Sequence, residues 1–187
     1  MALEIRPCTP DDIVAVEKLH NVSLPVHYPS QFFKSLPHSY VSYVAVLHSK
    51  VVASFVCELR SDHPSMSNLP SPYCPLYRYS VLSQQFWATC MRKLFGNRRK
   101  LLYVMTLVVS KHYQRQGIAS AMMNRILELC PSLGSEGVFL HSALENYKAR
   151  MFYQKAGFQE VTILRNFYSK SRTTLRNRDA ILWLKLN

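Results

Sequence analysis

Leu101-Leu102-Tyr103-Val104-Met105-Thr106-Leu107-Val108-Val109, with Gln114-Arg115-Gln116-Gly117-Ile118-Ala119 close behind it, is the stretch on which the fold turns. A continuous run of apolar and β-branched residues predicts a buried strand, and a basic turn with one glycine predicts the start of a helix. Such a turn gathers backbone N–H groups around Gly117 at the positive end of the helix. That arrangement can hold a pyrophosphate without any particular side chain. The glycines and lysine of a G-x-x-x-x-G-K-[ST] loop or a G-x-G-x-x-G turn are absent, which makes ATP and dinucleotides poor candidates.

The elements around this centre follow from period and punctuation. Gly117 to Cys130 predicts a helix with Ile118, Met122, Ile126 and Leu129 inward, ended by Pro131. Val138 to Ser142 predicts a strand and Glu145 to Ala156 a helix, with Gly157 where a left-handed cap is wanted. Gln159 to Leu164 and Ala180 to Leu186 predict two last strands joined by a basic loop. Upstream, Leu3 to Pro7 predicts a short strand, and Thr9-Pro10-Asp11-Asp12 a helix start. That helix should run to about Asn21, with Ile13, Val16 and Leu19 facing a core. A loop from Val22 to Pro29 leads to a short helix, Gln31 to Leu36, stopped by Pro37. Val41 to Leu47 and Val51 to Leu59 read as a hairpin turning at His48-Ser49-Lys50.

Residues 61–98 change character, with Pro64, Pro70, Pro72 and Pro75 followed by an amphipathic stretch, Val81 to Phe95. Leu82, Phe86, Cys90 and Leu94 recur there at four-residue spacing. This reads as an insertion carrying one helix, with too few apolar residues for a core of its own. The expectation is one domain over residues 1–187. At 187 residues and 48% hydrophobic content the chain can build a real core, and no internal repeat divides it.

The N-terminus lacks an apolar signal region, and no apolar run approaches the roughly 18 residues of a membrane span. A soluble protein that does not enter membranes is expected. Five scattered cysteines, Cys8, Cys57, Cys74, Cys90 and Cys130, argue against a disulfide framework and a zinc site, so no metal is expected and a reducing cytosol fits. The net charge of +12 is partly concentrated in Arg92-Lys93 with Arg98-Arg99-Lys100, and from Arg165 through Lys170, Arg172 and Arg176 to Arg178. These runs are either solvated loops or attractors of a polyanion such as ribosomal RNA or an acidic partner groove. Sequence-specific nucleic-acid reading is not expected, because no aromatic ladder accompanies them.

The spacing Q-x-x-G-x-A at Gln114 to Ala119 resembles the acetyl-CoA signature of the GCN5-related N-acetyltransferases (GNAT). A second motif agrees: Asn146-Tyr147-Lys148-Ala149-Arg150-Met151-Phe152-Tyr153 with Gly157-Phe158 resembles that family's N-x-x-A-x-x-F-Y-x-x-x-G-F segment. The resemblance implies an α/β fold with a mixed central sheet of six to seven strands flanked by about four helices, and acetyl-CoA as cofactor. Further segments, Leu24-Pro25-Val26-His27-Tyr28, Leu102 to Leu107, Phe139-Leu140-His141 and Asn166-Phe167-Tyr168, resemble the N-terminal α-acetyltransferases, closest to the NatE or San-type catalytic subunits. Two positions depart from that pattern: Leu24 stands where it has phenylalanine, and Phe167 where it has tyrosine.

By that resemblance Leu107, Val108 and Val109 offer backbone groups to the pantetheine arm and polarise the thioester carbonyl. Gln114, Arg115, Gln116, Gly117, Ile118, Ala119 and Ser120 take the pyrophosphate, while Asn146 and Tyr153 line the opposite wall, Tyr153 near the sulfur. Tyr103 and His141 fall where the family keeps its catalytic pair, on adjacent strands and sharing an ordered water that removes the proton of an α-ammonium. Leu24, Pro25, Val26, Tyr28, Met105 and Tyr168 would shape the pocket for a protein N-terminus, Met followed by a hydrophobic residue. The implied partners are N-terminal peptides, a NatA-type auxiliary subunit and the ribosome, in the cytoplasm and the nucleus. Two other readings stay open. One is a lysine or small-amine acetyltransferase, which must deprotonate an amine of pKa about 10.4 and would look to Glu58 or Glu145. The other is a weakly active CoA-binding subunit of a ribosome-associated complex. His20, His27 and His112 are expected to be structural or surface residues.

Overall fold

The computed structural model describes residues 3–61, 100–168 and 173–187. The expected insertion, with its helix and most of the first basic run, lies outside the described residues, as do Lys170 and Arg172 of the second run. The described strands are β1 (Glu4–Pro7), β2 (Val41–Leu47), β3 (Lys50–Ser61), β4 (Lys100–Val109), β5 (Gly137–Ala143), β6 (Gln159–Leu164) and β7 (Ala180–Leu186). They form one mixed α/β sheet in the order β1-β2-β3-β4-β5-β7-β6, antiparallel throughout except for the β4–β5 pair. The helices are α1 (Ile13–Ser23), α2 (Ser30–Lys34), α3 (Leu36–Ser39), α4 (Ile118–Leu129) and α5 (Tyr147–Lys155).

Two apolar layers cover the two faces. On one, Met122, Met123 and Ile126 of α4 and Tyr153 of α5 pack on Phe55, Leu102, Val104, Leu140 and Trp183. On the other, Val16 of α1, Phe32 and Phe33 of α2 and Leu36 of α3 pack on Val44, Tyr103, Met105 and Phe139. Each such side chain, fully removed from water, contributes about 1.5–3 kcal/mol. This double covering is why β4 reads as a continuous apolar run rather than an alternating one.

Two local expectations are corrected. Pro37 does not stop a helix: α2 ends at Lys34, and Pro37 sits in the first turn of α3, where a missing N–H costs nothing. Lys50 is not a turn residue, since Leu47 pairs with Lys50 and the hairpin closes on His48 and Ser49 alone. Both have positive φ, 49° and 59°, as a two-residue type I′ turn demands. The start of α1 is held as its acids suggested. The Asp12 carboxylate accepts from the Thr9 N–H at 2.8 Å and from Arg6 of β1 at 2.6 and 2.9 Å, which ties strand to helix. The Arg6 guanidinium holds that carboxyl down at about 2.

Two irregularities in β4 prepare the site. The β3–β4 register jumps between Val56 and Cys57, whose partners are Thr106 and Val104, so Met105 is an extra residue in β4. The bulge turns Thr106 to the face of Tyr103, where its hydroxyl meets Nε2 of the buried His20 at 2.9 Å. His20 Nδ1–H donates to the Val16 carbonyl at 2.8 Å, which makes the ring a neutral acceptor toward Thr106. The second irregularity is that β4 and β5 pair only at Leu102–Val138, Tyr103–Phe139 and Val104–Leu140. Beyond that point His141 to Ala143 pair with β7 and the rest of β4 pairs with β3, so the two strands part.

Candidate active site

The gap between β4 and β5 opens at the residues the sequence singles out. Tyr103 lies on β4 just before the strands part, and His141 on β5 just after. Their side chains touch directly, Tyr103 Oη lying 3.3 Å from His141 Nδ1. The expected bridging water is therefore not needed to join them. The phenol is buried, and the imidazole, whose Nε2 is shut off from solvent, is packed edge-on to Tyr103 and stacked on Phe167 with ring centroids 4.4 Å apart. Burial among these rings pulls the His141 pKa down to about 3, because a charged imidazolium would lose its hydration there. The ring is neutral at neutral pH.

The turn after β4 has the form expected of an anion cradle. A single 3₁₀ turn, Lys111–Tyr113, leads to Arg115 at φ 65° and Gly117 at φ 80° as the N-cap of α4. The first helical bond runs from Ala121 N–H to the Gly117 carbonyl, so the amides of Ile118, Ala119 and Ser120 precede the ladder and point out of the helix start. A side chain at Gly117 would meet no atom within 4 Å, so glycine serves the backbone angle there and leaves the approach to the amides open. The side-chain amides of Gln114 and Gln116, both exposed, donate to the carbonyls of Val109 at 3.1 Å and His112 at 3.3 Å. They brace the turn.

The helix α5 carries the second motif. Asn146 caps it, its Oδ1 accepting the Ala149 N–H at 3.1 Å, so that atom is committed to the helix. Tyr153 is buried between Phe152, Phe158 and Trp183. Desolvation pushes its phenol pKa well up, and it stays protonated. A strand edge, helix-start amides and a protonated phenol together suit a long, phosphate-bearing thioester.

On the other side of the Tyr103–His141 pair two loops meet. Pro25 accepts the Thr174 N–H at 3.0 Å and Val26 bridges to Thr173, which links the loop after α1 to the loop between β6 and β7. Leu24, Pro25 and Val26 are half-buried at this junction. Tyr28 stacks on Phe32 and its hydroxyl donates to the Met105 carbonyl at 3.4 Å, which brings these two expected pocket residues together. Tyr168 is buried beside Phe167, Ala143 and Ala180, one layer behind the His141 ring. Phe167, noted in the sequence only as a departure, is the residue that faces His141. Its signal was its place in the Asn166-Phe167-Tyr168 segment. Among the described residues no cluster of three or more His, Cys, Asp or Glu could hold a metal.

Comparison with known proteins bears on the family and the fold. A model of the acetyltransferase (GNAT) family matches residues 14–158. The chain is 26% identical over 170 residues to N-alpha-acetyltransferase 50 of Danio rerio, covering 90% of this chain and 81% of that one. It is 25% identical over 185 residues to histone acetyltransferase MCC1 of Arabidopsis thaliana, covering 91% and 66% respectively. The crystal structure of Arabidopsis thaliana NAA60 in complex with acetyl-CoA superposes with a TM-score of 0.77 at 22% identity, covering 99% of this chain and 98% of that one, a likeness of fold.

Proposed function

This chain belongs to the acetyltransferase (GNAT) family, and from that premise we propose that it transfers acetyl from acetyl-CoA to the free α-amine of protein N-termini. The carrying observation is the hydrogen-bonded Tyr103–His141 pair at the point where β4 and β5 separate. When bound, acetyl-CoA supplies an acyl group activated as a thioester. The amides of Ile118 to Ser120 would hold its pyrophosphate, and the β4 edge at Leu107 to Val109 would offer backbone groups to its arm and an N–H to the thioester carbonyl. Tyr153, kept protonated by burial, would be the donor for the thiolate on that side.

On the amine side the demand is small. A free α-amine has a pKa of about 7.7–8.0, so a sizeable fraction is already neutral at neutral pH. The neutral Tyr103–His141 pair would orient the amine without repelling its charge, and the α-ammonium would lose its proton to solvent rather than to the imidazole. Direct attack needs no acyl-enzyme cysteine. Cys8, Cys57 and Cys130 are buried, and desolvation raises the thiol pKa of each, to about 11 for Cys8.

A second reading, transfer to lysine, is favoured by the relative named as a histone acetyltransferase. It would need a stronger base, and both acids that the sequence offered are engaged. Glu58 pairs with Arg60 at 2.6 Å, and the Glu145 carboxylate accepts the Asn177 N–H at 3.1 Å. We place the preference for Met followed by a hydrophobic residue in the junction of Leu24 to Tyr28 with Met105 and Tyr168. Attachment to a NatA-type auxiliary subunit or the ribosome, in the cytoplasm, belongs to the same proposal. Within the fold Arg165, largely exposed, pairs with Asp179, and Arg178 donates to the Tyr168 carbonyl.

Acetyl-CoA consumption with a panel of N-terminal peptides and an internal-lysine peptide tests this. Wild-type protein should acetylate an α-amine, and Tyr103→Phe with His141→Ala together should lower kcat by about 10²–10⁴. Preference for the internal lysine over every free N-terminus would decide for the second reading.

A further inference from the structure

We propose that Asp179 is a positioning residue of the transfer site, holding Phe167 against His141 and thereby setting where the substrate amine lies. This rests on the α-amine reading above. Asp179 immediately precedes β7 and reaches in two directions. Its backbone carbonyl accepts the Leu144 N–H at 3.0 Å, which fastens it to the end of β5, the strand that bears His141. Its side chain reaches the turn after β6, where Oδ1 accepts the Asn166 N–H at 2.8 Å and Oδ2 accepts Arg165 at 2.6 Å. Those two contacts hold the carboxyl below its ordinary pKa.

Asn166 has φ 54°, in the left-handed region that asparagine adopts more readily than other L-residues, and the Asp179 carboxylate on its N–H fixes that choice. The next residue is Phe167, almost fully buried and lying at 22° to the His141 ring. One carboxylate therefore sets the conformation of the turn that carries the stacking ring, while the same residue's backbone fixes the strand carrying the imidazole. A second layer supports it: Asn177 Oδ1 accepts the Asp179 N–H at 2.8 Å, and Glu145 accepts the Asn177 N–H. Arg165 is largely exposed, so its ion pair is the weaker of the two side-chain contacts and the Asn166 hydrogen bond the one that matters.

Asp179→Ala should raise the peptide KM about tenfold, the loss of one well-formed hydrogen bond expressed at the amine, and leave the acetyl-CoA KM within about twofold. Asp179→Asn keeps an oxygen for the Asn166 N–H and should stay within about threefold of wild type. Phe167→Leu should reproduce the Asp179→Ala defect, and the double variant should be no worse than Phe167→Leu alone, because both act through one contact. Additive losses, or equal changes in both KM values, would overturn the proposal. A second readout is independent of activity. The His141 ring-proton resonances in NMR, shifted by the Phe167 face, should move in Asp179→Ala to their Phe167→Leu positions and stay put in Asp179→Asn. Unmoved resonances in Asp179→Ala would overturn it as well. If wild-type protein acetylates no N-terminal peptide, the α-amine reading fails and the NMR comparison alone decides whether Asp179 positions His141.

Discussion

His141 sits between Tyr103 and Phe167 with its pKa drawn down to about 3, and this bears on how the site handles a proton. A ring that remains neutral across the working range adds no ionisation of its own to the rate profile. We expect kcat/KM to rise as pH passes the peptide α-amine pKa of about 7.7–8.0, with no step near the ordinary histidine value of about 6.5. Initial rates from pH 5.5 to 9 check this, and a step near 6.5 that disappears in His141→Ala would show an ionising imidazole instead. Tyr103 and His141 were legible in the sequence because motif resemblance carries residues onto strands. The ring stacked on His141 was not legible, since Phe167 reaches it from a loop whose path depends on Asp179.

Elements place these residues, and most of them were legible because their signals are local. Alternation, caps and prolines mark strands and helices within a few residues of themselves. The misplacements at Pro37 and Lys50 were of the same scale: one proline fits the first turn of a helix as well as its end, and His48 and Ser49 adopt positive φ without the usual Asn-Gly. The bulge at Met105 carried no signal, being a matter of register against β3. At the cofactor turn, Gly117→Ala should cost about 1 kcal/mol of stability, since φ 80° suits glycine although there is room for a methyl group. Relaxation of that angle would also tilt the amides of Ile118 to Ser120. The acetyl-CoA KM should therefore rise while the peptide KM holds. Denaturant titration and two-substrate kinetics measure the two effects.

Across the whole molecule, the sheet separates a helix layer that borders the turn at Gln114 to Ser120 from one that borders the loop at Leu24 to Tyr28, and His20 links the second layer to β4. Its pKa, lowered by burial to about 4, lies below the unfolded value of about 6.5, so the unfolded chain takes up a proton that the folded one refuses. Its contribution to stability is thus complete above about pH 6.5 and lost as pH falls toward 4, on the order of 3 kcal/mol. Denaturation midpoints at pH 7.5 and 4.5 should show the fall, and a His20→Leu variant should show a shallower one. By itself the sequence determined the kind and order of the strands and helices, the turn at Gln114 to Ser120 and the family resemblance, because periodicity, caps and motif spacing act along the chain. Only the tertiary structure decided where β4 and β5 part, that Tyr103 meets His141 directly, that Phe167 covers the imidazole, and that Asp179 holds them. Those are distances between residues remote in sequence. They are set by strand register, one bulge and the meeting of two loops, none of which leaves a local trace.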